Sequence, residues 1–371
     1  MNIEALVAFI QKWRWLIEVP VIDLAILPEK DQICDQINSY HLATLKAEIS
    51  QISLISSLAS CPMERCKKEH EIKVLSDFIE LVVRETAVEN LVDVGCGNGY
   101  LEELLVKIPS VKSIVGIDCS LDQVEVSQRK NNNGKCTFLR ESFSRNTEID
   151  HSFGAYGLVS LHGCGNLWHE MIMHWSCRES CRFVVAVPCC YNLMSPETLP
   201  LSRRAKELQA GEALFSSKML MLACQRPESQ SAMSNSIKSV LFRTILQRAL
   251  ADNGFMQVKV GRVKVKEQTT LEEYFAKALG KINIQINLDM QVYNDLACEL
   301  FPIVAKLWEM RAWIGTIAES LIVADRCEFL SEMQQLFPFR FQLKNLFDRR
   351  LSARNICIVC VKEELVEANE F

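Results

Sequence analysis

Apolar residues recur every three or four positions along the first part of the chain, which is the spacing of amphipathic helices. The clearest stretches are IEALVAFIQKWRWLI, ATLKAEISQISLISSLA and CKKEHEIKVLSDFIELVVRE. Pro20 and Pro28 lie between the first two stretches, where they are expected to end one helix before the next begins. The sequence therefore predicts a helical N-terminal region over residues 1–66.

From Asn90 the pattern changes, and short apolar runs rich in β-branched residues alternate with helical segments. The runs are LVDVG, SIVGID, CTFLR, YGLVSLH and RFVVAVP. Continuous apolar runs separated by helices are typical of parallel strands that are buried on both faces. The pattern predicts an α/β core over 67–266, with a polar insertion over 195–235.

The last part of the chain is predicted to finish the sheet. A strand is predicted at about 256–266 in FMQVKVGRVKVKE. It is expected to kink at Gly261, because the valines lie at even positions before this glycine and at odd positions after it. A last strand is predicted at 355–362 in RNICIVC and the residues that follow. We expect the last strand to lie antiparallel beside the fifth strand and to pair with the strand at 256–266. The helical pattern over 267–337 is then an insertion before the last strand that caps the site together with the N-terminal helices, and 338–371 completes the sheet.

Composition limits the class of protein. The 371 residues are 49% hydrophobic and 23% charged, which is typical of a globular chain, and the net charge is −5. The 16 cysteines have irregular spacings and often lie in apolar runs, so we expect reduced thiols in an intracellular protein, cytoplasmic or nuclear. Because the chain lacks a long uncharged apolar run and a signal-peptide pattern, no membrane association is expected.

VDVGCGNG, which follows the first predicted strand, carries the most specific chemistry. Gly95, Gly97 and Gly99 alternate after Asp93, and glycines there allow a sharp turn and the close approach of a ligand. The helix that follows offers its N-terminus to a negative group. The spacing differs from the G-x-G-x-x-G of dinucleotide-binding folds. D-x-G-x-G-x-G instead resembles motif one of class I S-adenosylmethionine-dependent methyltransferases.

Two later strands supply the other groups that this resemblance implies. Asp118 ends the second strand, where a carboxylate can accept both hydroxyls of a ribose. Glu141 and Ser142 follow the third strand, where this superfamily often contacts adenine. The resemblance implies a Rossmann-like class I methyltransferase with a seven-stranded α/β sheet and S-adenosylmethionine as cofactor. The implied cofactor residues are Asp93, Gly95, Gly97, Gly99, Asp118, Cys119, Glu141, Ser142 and Leu161.

Longer blocks narrow the resemblance. They include MERCKKEHEI, DVGCGNGYL, VSLHGCGNL, VPCCYN, LFRTILQRALADNGF, LEEYFAKAL, AESLIVADR and FDRRLSARNICIV, in order from about residue 60 to residue 362. The chain is similar to the methyltransferase-like family that includes the ribosomal RNA adenine dimethylase domain-containing protein, and distantly to tRNA methyltransferases that modify a ribose hydroxyl in the acceptor stem. The family typically has Lys where Asn98 stands, Thr and Asp where Gly163 and Asn166 stand, and His where Asn192 stands.

LHGCGN, at the end of the fourth strand, is the predicted catalytic edge, because ligands of open α/β sheets bind at the carboxyl ends of strands. PCCYN ends the fifth strand beside it. Methyl transfer needs a positioned nucleophile, and a proton acceptor where that nucleophile is a hydroxyl or a cationic amine. We expect His162, Asn166 and Tyr191 to act on the acceptor. The predicted substrate contacts are Lys67, Lys68, Cys164, Cys189, Cys190 and Asn192.

Two alternatives exist for the cysteines at these strand ends. His162 and Cys164 could form a tetrahedral zinc site with Cys189 and Cys190. These thiols lie in apolar strand ends without an accompanying C-x-x-C pair, so we predict no metal. A redox or acyl-transfer thiol would need a base and an electropositive setting, and it is also not predicted.

Two groups of basic residues bear on which molecule accepts the methyl group. Arg262, Lys264 and Lys266 share one face of a predicted strand. A second basic group lies near the C-terminus, with Asp348 opposing it: Arg340, Lys344, Arg349, Arg350 and Arg354. Each group could be a solvated face, and a functional role would indicate phosphate binding.

The first hypothesis is therefore an RNA methyltransferase without a DNA or membrane partner. The alternatives are a protein methyltransferase, favoured by the acidic net charge, and an inactive cofactor-binding scaffold, favoured by Asn98 and Asn166.

Overall fold

The computed structural model of the protein describes residues 2–52, 64–209, 211, 213–225, 230–256, 258–348, 351–352 and 354–363. Contacts group the chain into two compact units. We call Met1–Leu58 with Gln225–Leu321 the helical unit, and Ala59–Cys224 with Ile322–Phe371 the sheet unit. Both units are discontinuous, because the chain leaves the sheet unit after Cys224 and returns to it at Ile322.

The α-helices of the described residues are α1 (Ile3–Lys12), α2 (Arg14–Glu18), α3 (Lys30–Ser39), α4 (Leu42–Ile52), α5 (Glu64–Thr86), α6 (Glu102–Leu105), α7 (Leu121–Lys130), α8 (Leu167–Ser176), α9 (Arg203–Leu208), α10 (Ser217–Leu222), α11 (Gln230–Asp252), α12 (Leu271–Ile282) and α13 (Met290–Met333). The strands are β1 (Asn90–Val94), β2 (Ser113–Asp118), β3 (Cys136–Arg140), β4 (Tyr156–Cys164), β5 (Cys181–Cys189), β6 (Phe339–Asn345) and β7 (Ile356–Lys362).

The helical unit contains α1 to α4, α11, α12 and the larger part of α13. Aromatic rings contribute to its core, where Trp13 packs against Tyr40 with ring centroids 4.9 Å apart. The predicted break at Pro20 is confirmed, because α2 ends at Glu18 and a 3-10 turn over Val21–Ile26 precedes α3. Proline prevents the first helices from continuing, since it cannot donate the backbone hydrogen bond.

The sheet unit contains one seven-stranded sheet with the order β3-β2-β1-β4-β5-β7-β6. The first five strands pair in parallel, and β7 is antiparallel to both of its neighbours. Ile358 of β7 lies opposite Ala186 of β5 and Leu343 of β6. This arrangement is the Rossmann-like class I methyltransferase fold that the sequence predicted.

Apolar side chains pack on both faces of the sheet. Leu91 and Val185 belong to a core that includes Ile79 of α5, whereas Val92 belongs to a second core that includes Trp168 of α8. Successive residues of a strand point to opposite faces, so neighbours such as Leu91 and Val92 supply the two cores in turn. Helices on both faces leave the strand ends accessible, and the site lies at the carboxyl ends.

The position predicted for the last strand is confirmed, and its predicted partner is wrong. β7 lies antiparallel beside β5, but residues 258–266 form no strand, and β6 takes the expected place beside β7. FMQVKVGRVKVKE instead connects α11 to α12 in the helical unit, where Val260 and Val263 are buried. The alternation of valines correctly indicated that valine side chains are buried here. A β-strand also needs a neighbouring strand with free backbone N–H and C=O groups, and the alternation does not show whether one is present.

The segments around these strands also differ from the prediction. Residues 225–266, expected in the α/β core, lie in the helical unit, as does most of the helical segment predicted at 267–337. This segment precedes both β6 and β7 instead of lying between the last two strands. β6 was missed because FRFQLKN is an edge strand with mostly exposed side chains, so it lacks the apolar pattern of a buried strand.

None of the described helices combines the length and the apolarity that crossing a bilayer requires. The described cysteines are free thiols.

Candidate active site

The glycine turn after β1 lies at the carboxyl edge of the sheet and is tied to α7. Gly95, Gly97 and Gly99 have φ angles of +75°, +56° and +72°. Ser127 donates to the Gly97 carbonyl at 2.6 Å, and the amide of Asn131 donates to the Gly99 carbonyl at 2.9 Å. A Cβ atom at position 97 would have a Gln123 oxygen as its nearest neighbour, at 3.9 Å. The backbone of the turn is thus fixed, and the space beside Gly97 allows a ligand to approach it.

Asp118 ends β2 with its carboxylate held by two backbone donors. Its Oδ2 accepts from the N–H of Gly97 at 3.0 Å, and its Oδ1 accepts from the N–H of Ser120 at 2.9 Å. The side chain is half-buried, and a carboxylate oxygen has a second lone pair, so Asp118 can still accept hydrogen bonds from two hydroxyls. The structure therefore brings the predicted ribose acid to the glycine turn.

The other predicted cofactor residues of this edge follow β2 and β3, with the predicted adenine contacts Glu141 and Ser142 after β3. Glu141 and Ser142 are exposed, and the backbone N–H of Glu141 donates to the carbonyl of Asp118 at 3.0 Å. The Glu141 carboxylate accepts from the Thr147 hydroxyl at 3.1 Å. Cys119 is exposed directly after Asp118. These residues form a polar rim next to the ribose acid.

Asp93, the acid that precedes the turn, is a buried partner of Glu102. The two residues are 2% and 0% exposed. The pKa of Asp93 is raised to about 7, mainly because the side chain is buried. The hydrogen bond with Glu102 lowers this pKa, and the charge of Asp118 raises it further. Burial, followed by the charge of Asp93, raises the pKa of Glu102 well above its ordinary value. Since carboxylates only accept, a proton held by one group supplies the hydrogen bond between them.

These residues fit S-adenosylmethionine. The fixed carboxylate of Asp118 matches a ribose diol, and the open side of Gly97 matches a ligand that lies against the backbone. Both features lie at the carboxyl ends of parallel strands, where ligands of such sheets bind. S-adenosylmethionine is therefore the cofactor that this edge of the sheet unit suits.

His162, near the end of β4, is paired with a buried carboxylate. Its Nε2 lies 3.4 Å from Glu71 Oε2, and the imidazole is 40% exposed while the Glu71 side chain is 3% exposed. Burial favours a raised pKa for Glu71, but hydrogen bonds from His162 and Ser352 and the nearby charges lower its pKa overall. Lys67, one turn earlier on α5, lies 3.7 Å from Glu71 Oε1. An ionised, buried carboxylate thus orients an accessible imidazole, which is an arrangement suited to a general base.

The other two predicted catalytic residues have different positions. Asn166 precedes α8, and its Oδ1 accepts from the backbone N–H of Ser195 at 3.3 Å, so it ties the start of α8 to the segment after β5. Tyr191 is fully buried, and the guanidinium groups of Arg326 and Arg354 each lie 5.4 Å from its ring. Tyr191 therefore shapes the wall behind the strand ends instead of presenting its hydroxyl at the surface.

The predicted substrate cysteines come together where β4 and β5 end. Cys164 Sγ lies 3.3 Å from Cys189 Sγ, which lies 3.5 Å from Cys190 Sγ. The pKa of Cys164 is lowered to about 6, mainly by the hydrogen bond from Cys189, although burial alone would raise it. Asn192 is exposed and accepts from the Cys224 thiol at 3.2 Å.

Leu161 is half-buried at the end of β4 and packs against the core that contains α5. It contributes an apolar side chain between Ser160 and His162 at the edge that holds the glycine turn.

Two lysines contact the tyrosine that follows the glycine turn. The ammonium groups of Lys68 and Lys130 lie 3.3 and 3.1 Å from the centroid of the Tyr100 ring. Hydrogen bonding with Lys130, followed by the charge of Lys68, lowers the pKa of Tyr100. Positive charge is therefore concentrated beside the turn, and the predicted substrate residue Lys68 takes part in it.

Four residues of this edge escaped the sequence analysis: Glu71, Tyr100, Glu102 and Lys130. Glu71 lies four residues after Lys67 in KKEHE, a spacing that pairs charges on a helix. That signal could have indicated an ion pair but not its burial. Whether an acid is buried depends on neighbours that are distant in the sequence, and acids are mostly exposed.

The two predicted basic groups separate in the structure. Arg340 of β6 pairs with Glu85, Lys344 is exposed, and Arg349 and Arg350 lie outside the described residues. Arg262, Lys264 and Lys266 are exposed, but they lie on the connection in the helical unit and not on a strand.

The helical unit has a groove lined by lysines. Its volume is about 570 Å³, and its lining has one acid, Glu273, against four lysines: Lys264, Lys266, Lys277 and Lys281. A concentration of ammonium groups with little opposing charge attracts phosphates.

Residues 67–197 match a family described as "Methyltransferase domain". The match covers about a third of the 371-residue chain. It includes the glycine turn, Asp118 and the stretch from His162 to Asn166.

A demethylmenaquinone methyltransferase of Porphyromonas gingivalis is 29% identical to this chain over 106 residues, which are 27% of this chain and 40% of that protein. The match thus spans less than half of the relative's length. Among solved structures, the plantazolicin methyltransferase BpumL in complex with SAH has a TM-score of 0.35 at 9% identity, with 97% of this chain and 99% of that chain covered. DesVI of Streptomyces venezuelae has a TM-score of 0.28 at 18% identity, with 33% and 53% covered.

Proposed function

We propose that the protein is an S-adenosylmethionine-dependent methyltransferase that acts on RNA. The observation that carries the proposal is the Asp118 carboxylate, fixed between the N–H groups of Gly97 and Ser120 at the glycine turn. The family match over 67–197 supports the same chemistry, because it covers this turn and this acid.

The cofactor supplies a methyl group on a sulfonium, which is already activated for transfer. Asp118 would accept the ribose hydroxyls of the cofactor, and the open side of Gly97 would leave room for the nucleoside. Glu141 and Ser142 offer polar atoms on the adenine side. Two backbone donors fix Asp118 before the ligand arrives, so little ordering of this side chain is needed on binding.

His162 is the proposed proton acceptor for the methyl-accepting group. Glu71 holds the imidazole at Nε2, and 40% of the His162 side chain is accessible at the end of β4. An RNA hydroxyl loses a proton when it is methylated, so a positioned imidazole assists the transfer. Asn166 contributes indirectly, since its bond to Ser195 fixes the segment after β5 relative to the start of α8.

Charge supports RNA as the acceptor. Lys68 and Lys130 place two ammonium groups at Tyr100, directly after the glycine turn. The groove of the helical unit adds four lysines against Glu273. Contacts of this kind bind phosphates without reading sequence.

Cofactor binding is tested by thermal unfolding with S-adenosylhomocysteine. At a concentration of about 100 times Kd, a ligand that binds only the folded state adds about 2.7 kcal/mol of stability. We expect a clear rise in Tm for the wild type and for Asp122→Ala, an exposed acid at the start of α7. Asp118→Ala should lose the rise. An equal rise in Asp118→Ala, or a rise with NAD in place of S-adenosylhomocysteine, would contradict the proposed cofactor site.

The acceptor is tested by incubating the wild type with methyl-labelled cofactor and cell extract that has been separated into RNA and protein. We expect label in the RNA fraction, sensitive to ribonuclease. Label in the protein fraction alone would make the RNA assignment wrong. Binding of S-adenosylhomocysteine without label in either fraction would favour an inactive scaffold.

A further inference from the structure

Three thiols from two strand ends converge on one point of the sheet unit. Cys164 Sγ lies 3.3 Å from Cys189 Sγ, and Cys189 Sγ lies 3.5 Å from Cys190 Sγ. All three sulfurs lie within 4.8 Å of one another. Cys189 is buried, whereas Cys164 and Cys190 are half-buried, so the cluster is reachable from the solvent side.

The backbone explains why the thiols meet. Cys164 of β4 and Cys189 of β5 are direct partners in the parallel register. Consecutive residues of a strand point to opposite faces, so the side chain of Cys190 would ordinarily diverge from that of Cys189. Cys190 instead adopts φ 44° and ψ 50°, a left-handed conformation that residues other than glycine rarely adopt, and its thiol lies on the same side as that of Cys189. Strain of this kind tends to persist where it places functional groups.

We propose that Cys164, Cys189 and Cys190 bind a zinc ion. Zinc–sulfur bonds of about 2.3 Å put tetrahedral sulfurs about 3.8 Å apart, so the observed separations need only small side-chain movements. Thiolate-rich sets favour zinc over hard cations such as magnesium or calcium. A disulfide between Cys164 and Cys189 would leave the strained backbone at Cys190 without a role.

Binding balances as the loss of three thiol protons and the formation of three zinc–sulfur bonds, without a change of oxidation state. The fourth position is left to a water molecule, because among the described residues the ligand atoms that meet within 4.8 Å are those of the three thiols. The ion would fix the ends of β4 and β5 relative to each other at the edge that carries His162.

The proposal is tested on the full-length protein, produced with zinc in reductant and dialysed against metal-free buffer. Elemental analysis should find about one zinc per chain, the content of a mononuclear thiolate site. Cys164→Ser and Cys190→Ser should each retain less than about a tenth of that content, because each loses one of three protein ligands. Cys177→Ser, which changes an exposed thiol of the same unit, should keep the wild-type content. Circular dichroism and a cooperative thermal transition verify that the variants fold.

Cobalt gives a second measurement that needs only the wild type. Cobalt bound by thiolates absorbs intensely in the near ultraviolet, and zinc should displace it and remove that absorption. Wild-type protein that holds no zinc and develops no thiolate absorption with cobalt would overturn the proposal, and so would a folded Cys164→Ser with full zinc content. A Cys164–Cys189 disulfide found by mass spectrometry after blocking of free thiols, in place of bound metal, would also overturn it. None of these outcomes depends on whether the protein transfers methyl groups.

Discussion

Three acids at the carboxyl edge of the sheet have different roles because their surroundings differ. Asp118 receives two backbone N–H groups, and Glu71 receives His162 and has Lys67 nearby, so hydrogen bonding favours a charged Glu71 even though it is buried. Asp93 is buried beside a second carboxyl, which favours a proton. A carboxyl group therefore has three different roles: Asp118 is placed to bind a ligand, Glu71 orients the proposed base, and Asp93 is part of the buried core.

Glu71→Gln tests the histidine–carboxylate pair. The amide keeps the size of the side chain and removes the charge that orients His162. We expect kcat for methyl transfer to fall by about 10- to 100-fold, less than the roughly 100- to 10,000-fold contribution of a general base because the imidazole itself is kept, with binding of S-adenosylhomocysteine unchanged. Steady-state kinetics with calorimetry of the ligand measure both quantities.

Glu69→Gln, an exposed position on α5, is the matched control and should leave kcat unchanged. If kcat of Glu71→Gln equals that of the wild type, His162 does not need the carboxylate, and the proposed base pair is wrong.

Asn166 separates a positioning role from proton transfer. Asn166→Ala loses the acceptor for the Ser195 N–H, so we expect methyl transfer to fall by roughly a hundredfold while the Kd of S-adenosylhomocysteine changes by less than about tenfold. Asn166→Asp keeps an acceptor oxygen and adds a negative charge at the start of α8, where the helix dipole favours it. It should therefore retain activity. Activity retained in Asn166→Ala, or lost in Asn166→Asp, would contradict the positioning role.

At the scale of elements, the glycine turn is flanked in the sequence by two buried acids that form a pair, Asp93 in β1 and Glu102 in α6. Unfolded carboxyls have pKa values of about 4, and the folded pKa of Asp93 is raised to about 7. The folded state therefore retains protons that the unfolded state releases as the pH rises from 4. The stabilisation is complete below about pH 4 and is lost as the pH rises through 7, at up to about 1.4 kcal/mol per pH unit for each proton.

Glu102→Gln should reduce this dependence, because the amide donates a hydrogen bond without a titrating proton. Between pH 5 and pH 8, we expect the free energy of unfolding of the wild type to fall relative to that of Glu102→Gln by about 2 kcal/mol. Denaturant titrations at several pH values measure the difference. Glu103→Gln, an exposed neighbour, should follow the wild type. Parallel curves for the wild type and Glu102→Gln would show that the pair holds no extra proton.

The sequence predicted the parallel strands, the glycine turn and Asp118, because these depend on local pattern and spacing. It also predicted the position of β7, whose apolar run is continuous. It missed β6, since an exposed edge strand has no buried pattern, and it placed a strand at 256–266, since valines alternate in a connection as well. Glu71 depends on contacts between elements that are far apart in the sequence, so no local pattern indicates its burial. The sequence placed Cys164, Cys189 and Cys190 at neighbouring strand ends, but their convergence depends on the left-handed backbone of Cys190, which no local pattern indicates.

At the scale of the whole molecule, the lysine groove of the helical unit predicts salt-dependent RNA binding. Replacing Lys264 and Lys277 with Gln removes two positive charges from the groove. We expect weaker binding of single-stranded RNA, and a slope of log K against log salt that is smaller in magnitude by about 1.4, which corresponds to two phosphate contacts. Fluorescence anisotropy at several salt concentrations measures it.

Lys12→Gln with Lys46→Gln is the control for this pair. These lysines are in the same unit and are paired with Glu48 and Glu309, so they should not contribute to the slope although the net charge changes equally. Equal slopes for the groove variant and the control variant would exclude the groove as the RNA-binding surface.

The position of β7 between β5 and β6 has a consequence for synthesis on the ribosome. β5 ends at Cys189 and β7 begins at Ile356. All residues between these two strands are therefore synthesised before β7, the antiparallel partner of β5, exists. At about 5–20 residues per second, the apolar edge of β5 waits about 10–30 s for that partner. An unpaired apolar edge is prone to associate with other chains. We therefore expect the newly made protein to depend on chaperones during this interval more than a chain whose sheet is contiguous in sequence.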